Sequence, residues 1–485
     1  MKSNPLIQLL AVFSRKEVTR FKDFVYSPYH NKHRGVRLLV GHLSQIYPNF
    51  TEKSCTREGL FQILFPDEGH DQAKLATVFT YALRLAEQFL ITEQFREREG
   101  LHRVLLLQNL RQKEQNRYYQ KVLKTQSRWL EGQTYRDGAH FNRRFLLLAE
   151  ADLFFSEQAR YSKGGSIQRK QDSLDHFYLS EKLKDACEMQ VRRRIMQQEY
   201  QNPLFEALLA EVAANPSQYA AVPPVVVYFQ LYQMIRHGAD ADYRRALEVI
   251  REKAPFFPKR ELQNLYNYLQ NHCIQQINQG HRHFLKEIFE LYKFQLEDDL
   301  LFINGYLPEW HYKNIVSTGL LLHETAWVRD FIEGYKKHLP PDVVDNAYSY
   351  NLAFYYYETQ QYGRVLDLLV HLEYSDLRYA LNAKLLLLKT YYDLDEYETL
   401  LSLSDSFRQY LQRKKEISDF NRQGYYQLLR FTRRAIQIKM KVGYVARERL
   451  RGELQKLRAE IETTNTRFGQ AWLESKLREI EGMVA

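Results

Sequence analysis

The chain has 485 residues, a formal net charge of +10 and 45% hydrophobic residues, a composition that argues against extensive disorder. Gly (20) and Pro (13) are scarce, which disfavours strand-and-turn architectures and favours long helices. The three cysteines lie far apart and form no CxxC pair, which argues against a disulfide framework or a zinc site. We therefore expect an all-α protein in a reducing compartment.

Targeting signals are not evident in the amino-acid pattern. The N-terminal stretch MKSNPLIQLLAVFSRKE has a short apolar run interrupted by Gln8 and lacks a small-x-small cleavage site. No stretch approaches the roughly 18 uninterrupted apolar residues of a membrane-spanning helix. We expect a cytoplasmic protein that has no membrane partner.

The first 95 residues predict a separate helical module. Apolar residues from Leu6 to Phe24 follow helical spacing, with a polar break at Ser14. Further helices are predicted at Val36–Tyr47, Cys55–Pro66 and Ala73–Phe89. From residue 96 to 225 the pattern changes to long, irregular helix pairs, in which Arg103–Trp129 contains neither Gly nor Pro. The SKGGS stretch (162–166) is interpreted as a flexible interhelical loop.

A repeat of about 35 residues runs through the second half of the chain. Tyr356, Tyr362 and Leu366 recur 35 residues later as Tyr391, Tyr397 and Leu401. Such a period is typical of stacked helix pairs. We expect the turns of successive pairs near Tyr243, Phe284, Trp327, Tyr362 and Tyr397. Repeats therefore span 226–441, followed by capping helices at 442–485 that carry an apolar stripe of Leu450, Leu454, Leu457 and Ile461.

Residues 351–403 resemble the tetratricopeptide repeat family. The family's packing positions are held by Leu352, Ala353, Tyr356, Tyr362 and Leu366, and in the next repeat by Leu387, Leu388, Tyr391, Tyr397 and Leu401. The chain departs from the family at Val365, Leu388 and Leu400, where small residues are usual, and no Pro ends either repeat. The resemblance implies an α-solenoid of stacked helix pairs.

The resemblance also implies a ligand groove on the first helix of each pair. Carried over by position, the groove residues are Tyr350, Phe354, Tyr357, Asn382, Lys389 and Tyr392. Aromatic rings there would stack on an extended or helical peptide. The alternative is that these tyrosines pack against neighbouring repeats, because aromatic stripes at helical spacing are often core.

The positive charge is concentrated in one segment. Residues 408–458 contain 15 Lys and Arg against 4 Asp and Glu, whereas residues 365–407 contain 3 against 8. Arg430, Arg433, Arg434 and Lys441 are predicted to lie on one exposed helix face, where they would repel each other unless an anion compensates them. The alternatives are a solvated helix face or pairing with the preceding acidic block, binding of an acidic protein or peptide, and binding of a nucleic acid.

Catalytic motifs are absent from the sequence. It contains no GxxxxGK[ST], HExxH, GxSxG, HRD or DFG pattern, and we predict no catalytic residue, metal site or cofactor. The sequence favours a non-enzymatic protein–protein interaction scaffold that binds a peptide or helix in its groove. A nucleic-acid-associated factor using the basic 408–458 surface, and an enzyme without recognisable motifs, are the alternatives. Self-association through the C-terminal stripe is compatible with each.

Overall fold

The computed structural model describes residues 4–50, 55–69, 71–97, 99–158, 166–370, 376–464 and 468–484. Across these residues the protein is all-α, with helices packed in neighbouring pairs and no β-strand. Residues 162–165 of the predicted SKGGS loop lie outside the described residues. The chain divides into two compact units, Met1–His237 with Glu248–Pro258 and Gly238–Leu247 with Lys259–Ala485. The fourfold segmentation expected from the sequence stays a prediction.

The first unit begins with five helices that share one core. The unit contains α1 (Pro5–Ala11), α2 (Arg15–Tyr26), α3 (Arg34–Ile46), α4 (Arg57–Leu64), α5 (Gln72–Glu97), α6 (Glu99–Gln112), α7 (Asn116–Glu131), α8 (Gly138–Glu157), α9 (Ser166–Met196), α10 (Phe205–Ala214), α11 (Pro216–Tyr219) and α12 (Pro223–His237). Phe13, Phe21 and Phe89 form a ring cluster with centroids 5.5–6.2 Å apart at the centre of the first core.

The polar break predicted at Ser14 is confirmed, and its cause is a capping box. The Ser14 hydroxyl accepts a hydrogen bond from the Glu17 amide at 3.3 Å, and the Glu17 carboxylate accepts one from the Ser14 amide at 2.6 Å. These two bonds satisfy amides that have no partner inside the helix. The chain therefore ends α1 and starts α2 at this point.

The uninterrupted helix pattern of Arg103–Trp129 is broken in the structure. Helix α6 ends at Gln112 and α7 begins at Asn116, because Glu114 adopts a left-handed conformation with φ of 53°. Nothing in the sequence marks this turn, since the usual marker of a left-handed position is Gly. Tyr119 of α7 then stacks on Phe154 of α8, with the ring centroids 3.8 Å apart.

The second unit consists of successive helix pairs and a C-terminal group. Its helices are the first part of α13 (Asp240–Lys253), then α14 (Lys259–Asn278), α15 (Phe284–Glu297), α16 (Glu309–Leu321), α17 (Thr325–Tyr335), α18 (Val344–Glu358), α19 (Tyr362–Leu369), α20 (Leu377–Asp393), α21 (Tyr397–Arg413), α22 (Asp419–Lys439), α23 (Arg447–Thr464) and α24 (Gln470–Val484). Short 3-10 turns occur at Lys336–His338 in this unit and at Ala254–Phe256 in the first unit. The five predicted turn positions are confirmed, since α13, α15, α17, α19 and α21 begin within three residues of them.

A common turn joins the two helices of each pair. After α16, α18 and α20 the chain enters the left-handed region at His323, Gln360 and Asp395, with φ of 59–60°. The amide of the following residue then donates to the carbonyl five residues back, as from Gln361 to Tyr356 at 2.8 Å. This is a Schellman cap, which satisfies the last carbonyls of one helix and turns the chain into the next.

The apolar stripe on α23 is buried inside the second unit. Leu450, Leu454, Leu457 and Ile461 are at most 1% exposed and belong to one core cluster with residues of α22 and α24. The prediction of a cap fits this packing. The stripe offers no open surface for self-association, because α22 and α24 already cover it.

We expect Gln360→Gly to raise the free energy of unfolding by about 0.5–1 kcal/mol, because Gly adopts the left-handed conformation without the clash of a Cβ atom. Gln361→Gly is the matched control. Its backbone has φ of −92° and its side chain donates to Thr359 at 3.0 Å, so this variant should lose about 0.5–1 kcal/mol. Urea denaturation of the full chain measures both. Equal effects of the two substitutions would contradict the assignment of the turn.

Candidate functional site

All six predicted groove residues lie on two neighbouring first helices. Tyr350, Phe354 and Tyr357 are on α18, and Asn382, Lys389 and Tyr392 are on α20. Helix α18 packs against both α16 and α20. We call these three first helices, α16, α18 and α20, the inner row.

An aromatic patch lies where α18 meets its neighbours. The rings of Tyr350 and Phe354 are nearly parallel with centroids 6.4 Å apart, and Tyr379 of α20 meets Tyr350 edge-on at 5.9 Å. The Lys313 ammonium of α16 lies 5.8 Å from the Tyr350 centroid. Tyr350 is 9% exposed, whereas Phe354 is partly exposed and is therefore the accessible ring of the patch.

Asp393 is the centre of a charged cluster at the end of α20. Its carboxylate accepts a hydrogen bond from the Tyr357 hydroxyl at 2.6 Å and pairs with the Lys476 ammonium of α24 at 2.5 Å. The side chain of Asp393 is only 6% exposed. Burial alone would lower the pKa of Lys476, but the hydrogen bond and charge of Asp393 outweigh it and the pKa is raised. Burial and the bond to Asp393 raise the pKa of Tyr357.

Lys389 lies one helical turn before Asp393 but has no comparable partner. In the described part of the chain its ammonium forms neither a hydrogen bond nor an ion pair; its nearest ring is Trp472, with a centroid 5.8 Å away. Burial lowers the pKa of Lys389, although the charges of Glu358 and Asp393 oppose this shift. A desolvated cation without a contacting anion costs folding free energy.

The other two predicted residues differ in accessibility. Tyr392 is 1% exposed, and its ring packs edge-on against Trp472 of α24 at 5.2 Å. It therefore belongs to the core, as in the packing alternative. Asn382 is partly exposed and precedes Lys389 by seven residues, which places both on one side of α20. The structure thus brings Tyr350 and Phe354 together, and it places Lys389 and Tyr392 against the same ring, Trp472.

Sequence reasoning missed Lys313, Asp393, Trp472 and Lys476. Lys313 precedes Tyr350 by 37 residues, so a longer repeat alignment would have placed it on a first helix. Trp472 and Lys476 lie on the terminal helix α24, outside the repeat, and no spacing links them to α20.

The predicted anion-binding residues are paired with carboxylates of the same chain. Glu460 accepts from Arg430 at 2.8 Å and from Arg434 at 2.5 Å. Lys441 lies 2.9 Å from Glu453, and Arg433 lies 3.6 Å from Asp405 of the preceding acidic block. The Arg434 hydrogen bond holds the pKa of Glu460 below its usual range, as the Lys441 bond does for Glu453. The repulsion expected on this face is therefore compensated within the protein.

Other reactive groups are sequestered. Cys187 and Cys273 are fully buried, and burial raises the pKa of both thiols, for Cys273 to about 12.

Among the described residues no group of three His, Cys, Asp or Glu side chains is arranged to hold a metal ion. Nor does any described helix combine the length and apolar character needed to cross a bilayer.

No family model, curated protein or solved structure matches the chain. The tetratricopeptide-like identification accordingly stays a prediction that rests on the repeat residues themselves.

Two lysine substitutions should have opposite effects on stability. Lys476→Met leaves the buried Asp393 carboxylate without its cation and should lower the free energy of unfolding by about 2–4 kcal/mol. Lys389→Met removes a desolvated charge while keeping the apolar stem, and should raise it by about 0.5–1 kcal/mol. Urea denaturation of both variants at neutral pH provides the comparison. A loss for Lys389→Met as large as that for Lys476→Met would show that Lys389 has an internal partner.

Proposed function

We propose that the protein is a non-enzymatic protein-binding scaffold, a tetratricopeptide-like solenoid in a cytoplasmic setting, whose inner row captures a peptide or helix. The observation that carries this proposal is the combination of an accessible ring, Phe354, with a desolvated and unpaired cation, Lys389, on adjacent helices of the inner row.

The two groups suit different parts of one ligand. The partly exposed ring of Phe354, held nearly parallel to the buried Tyr350 ring, offers an apolar surface of low conformational entropy, which is the usual character of an anchor site for a peptide side chain. The Lys389 ammonium lacks an anion that a carboxylate of the ligand would supply. A carboxylate of a bound peptide would therefore offset the free-energy cost of desolvating the Lys389 ammonium.

The nucleic-acid alternative is weaker than the sequence indicated. It was based on four cations without compensating anions, and Arg430, Arg433, Arg434 and Lys441 all have carboxylate partners. A phosphate backbone would first have to displace those partners. We therefore rank a protein or peptide partner above a nucleic acid.

The proposal is tested by affinity capture of partners on the tagged full-length chain, with and without nuclease. We expect a discrete protein that survives nuclease, and whose retained amount falls about tenfold with Phe354→Ala and with Lys389→Met. Phe420→Ala is the matched control, because Phe420 is a 69% exposed ring on α22, away from the inner row. The Lys389→Met result is the sharper one, since the variant should be more stable than the wild type and still lose its partner.

Two outcomes would contradict the proposal. One is a partner that both inner-row variants retain as well as the wild type does. The other is captured material that disappears on nuclease treatment and depends on Arg430 and Arg434.

A further inference from the structure

A second groove lies on the other side of α20. It has a volume of about 600 Å³ and is bordered by α20, α21 and the end of α19. Its α20 residues include Lys384, Leu387 and Tyr391, whereas Asn382 and Lys389 are not among its lining residues. At about 100° per residue these two sets point in opposite directions from the helix axis. We call this feature the outer groove.

Helix lengths explain why the groove exists. Helix α19 has 8 residues and α21 has 17, so α19 can flank only part of α21. The groove lies beside the part of α21 that α19 does not flank. Leu387, Leu403 and the ring of Tyr391 line it. The lining residues include hydroxyl and apolar side chains, and no carboxylate is among them. The surface therefore mixes apolar and hydroxyl side chains with one charged side chain, Lys384.

Cations collect at one end of the outer groove. The Lys384 ammonium lies 5.1 Å from the Tyr410 centroid, and the Lys414 ammonium lies 5.8 Å from the same ring. Arg413 and Lys415 line the adjoining hollow, together with one acidic residue, Glu416. Burial, followed by the charge of Arg413, lowers the pKa of Lys384.

These cations differ from the four predicted anion-binding residues. In the described part of the chain Lys384, Arg413, Lys414 and Lys415 form no ion pair, whereas Arg430, Arg433, Arg434 and Lys441 each have one. The partly buried position of Lys384 beside another cation makes the missing anion costly. A ligand carboxylate placed at this end of the groove would therefore be attracted by these cations.

We propose that the outer groove binds an acidic amphipathic helix of a partner protein. The α20 side of the groove runs from Ala380 to Tyr391, about 16 Å or three helical turns at 1.5 Å per residue. The apolar face of such a helix would cover Leu387 and Leu403, while its carboxylates reach Lys384 and Arg413. An apolar floor favours this occupant over a nucleic acid, whose phosphates gain nothing from covering leucines.

The test uses a fluorescein-labelled peptide of about 18 residues, long enough to form a helix on binding, with Leu on one face and Glu on the other. Anisotropy titration with the full-length protein gives its Kd. We expect Lys384→Met combined with Arg413→Ala to raise the Kd about tenfold. A version of the peptide with Gln in place of Glu should bind about tenfold more weakly and be insensitive to these substitutions.

Two variants serve as controls and separate this site from the inner row. Arg433→Ala removes a cation that is already paired, and Lys389→Met removes one from the opposite face of α20, so each should leave the Kd within about twofold. The two proposals can fail separately. If affinity capture through the inner row fails but the acidic peptide still binds, the proposed function is refuted and the outer-groove proposal is not.

Three results would overturn the outer-groove proposal. They are a Kd above about 1 mM, equal affinity for the Glu and Gln peptides, or displacement of the peptide by a single-stranded oligonucleotide that depends on Lys384 and Arg413. The last result would assign the groove to nucleic acid.

Discussion

The helix pairs of the second unit depend on the left-handed residue that ends each first helix. At His323, Gln360 and Asp395 the chain reverses within a few residues. The amide of the next residue then donates a hydrogen bond to a carbonyl in the last turn of the helix. Since the same hydrogen-bond pattern recurs, each second helix leaves its first helix in a similar way. Neighbouring pairs then stack first helix against first helix, which brings α16, α18 and α20 together. Both candidate surfaces are consequences of this stacking.

Helix α20 borders three different environments. Lys384 lines the outer groove and Lys389 lies on the far side of the helix, while Leu388, between these two directions, is fully buried in the core. The two lysines share a physical state, since burial lowers the pKa of both and neither has an ion pair among the described residues. By contrast, the four predicted anion-binding residues are paired with carboxylates of the same unit, as Arg430 is with Glu460. Among these cations, the two lysines are therefore the ones whose electrostatic free energy a bound anion would change most.

The sequence predicted the parts of this structure that periodicity encodes. Turn positions such as Tyr362 and Tyr397 were recovered, because tyrosine recurs at the start of the second helix. The break at Glu114 was missed, since a left-handed Glu leaves no compositional mark. The packing alternative foresaw the burial of Tyr392 but not the ring that covers it, because Trp472 belongs to a helix distant in sequence. Likewise, the partners of Arg430 and Arg434 come from α23, and no local pattern relates the two helices.

The attachment of α24 to α20 has a consequence for synthesis of the chain. Ribosomes release a protein from its N-terminus, and segments fold as soon as their contacts are available. Asp393 and Tyr392 emerge well before Lys476 and Trp472, so the nascent second unit holds a carboxylate and an aromatic ring that still lack their partners. Helix α24 thus supplies the partners that these groups lack, and translation that stops before α24 leaves an apolar and charged surface uncovered.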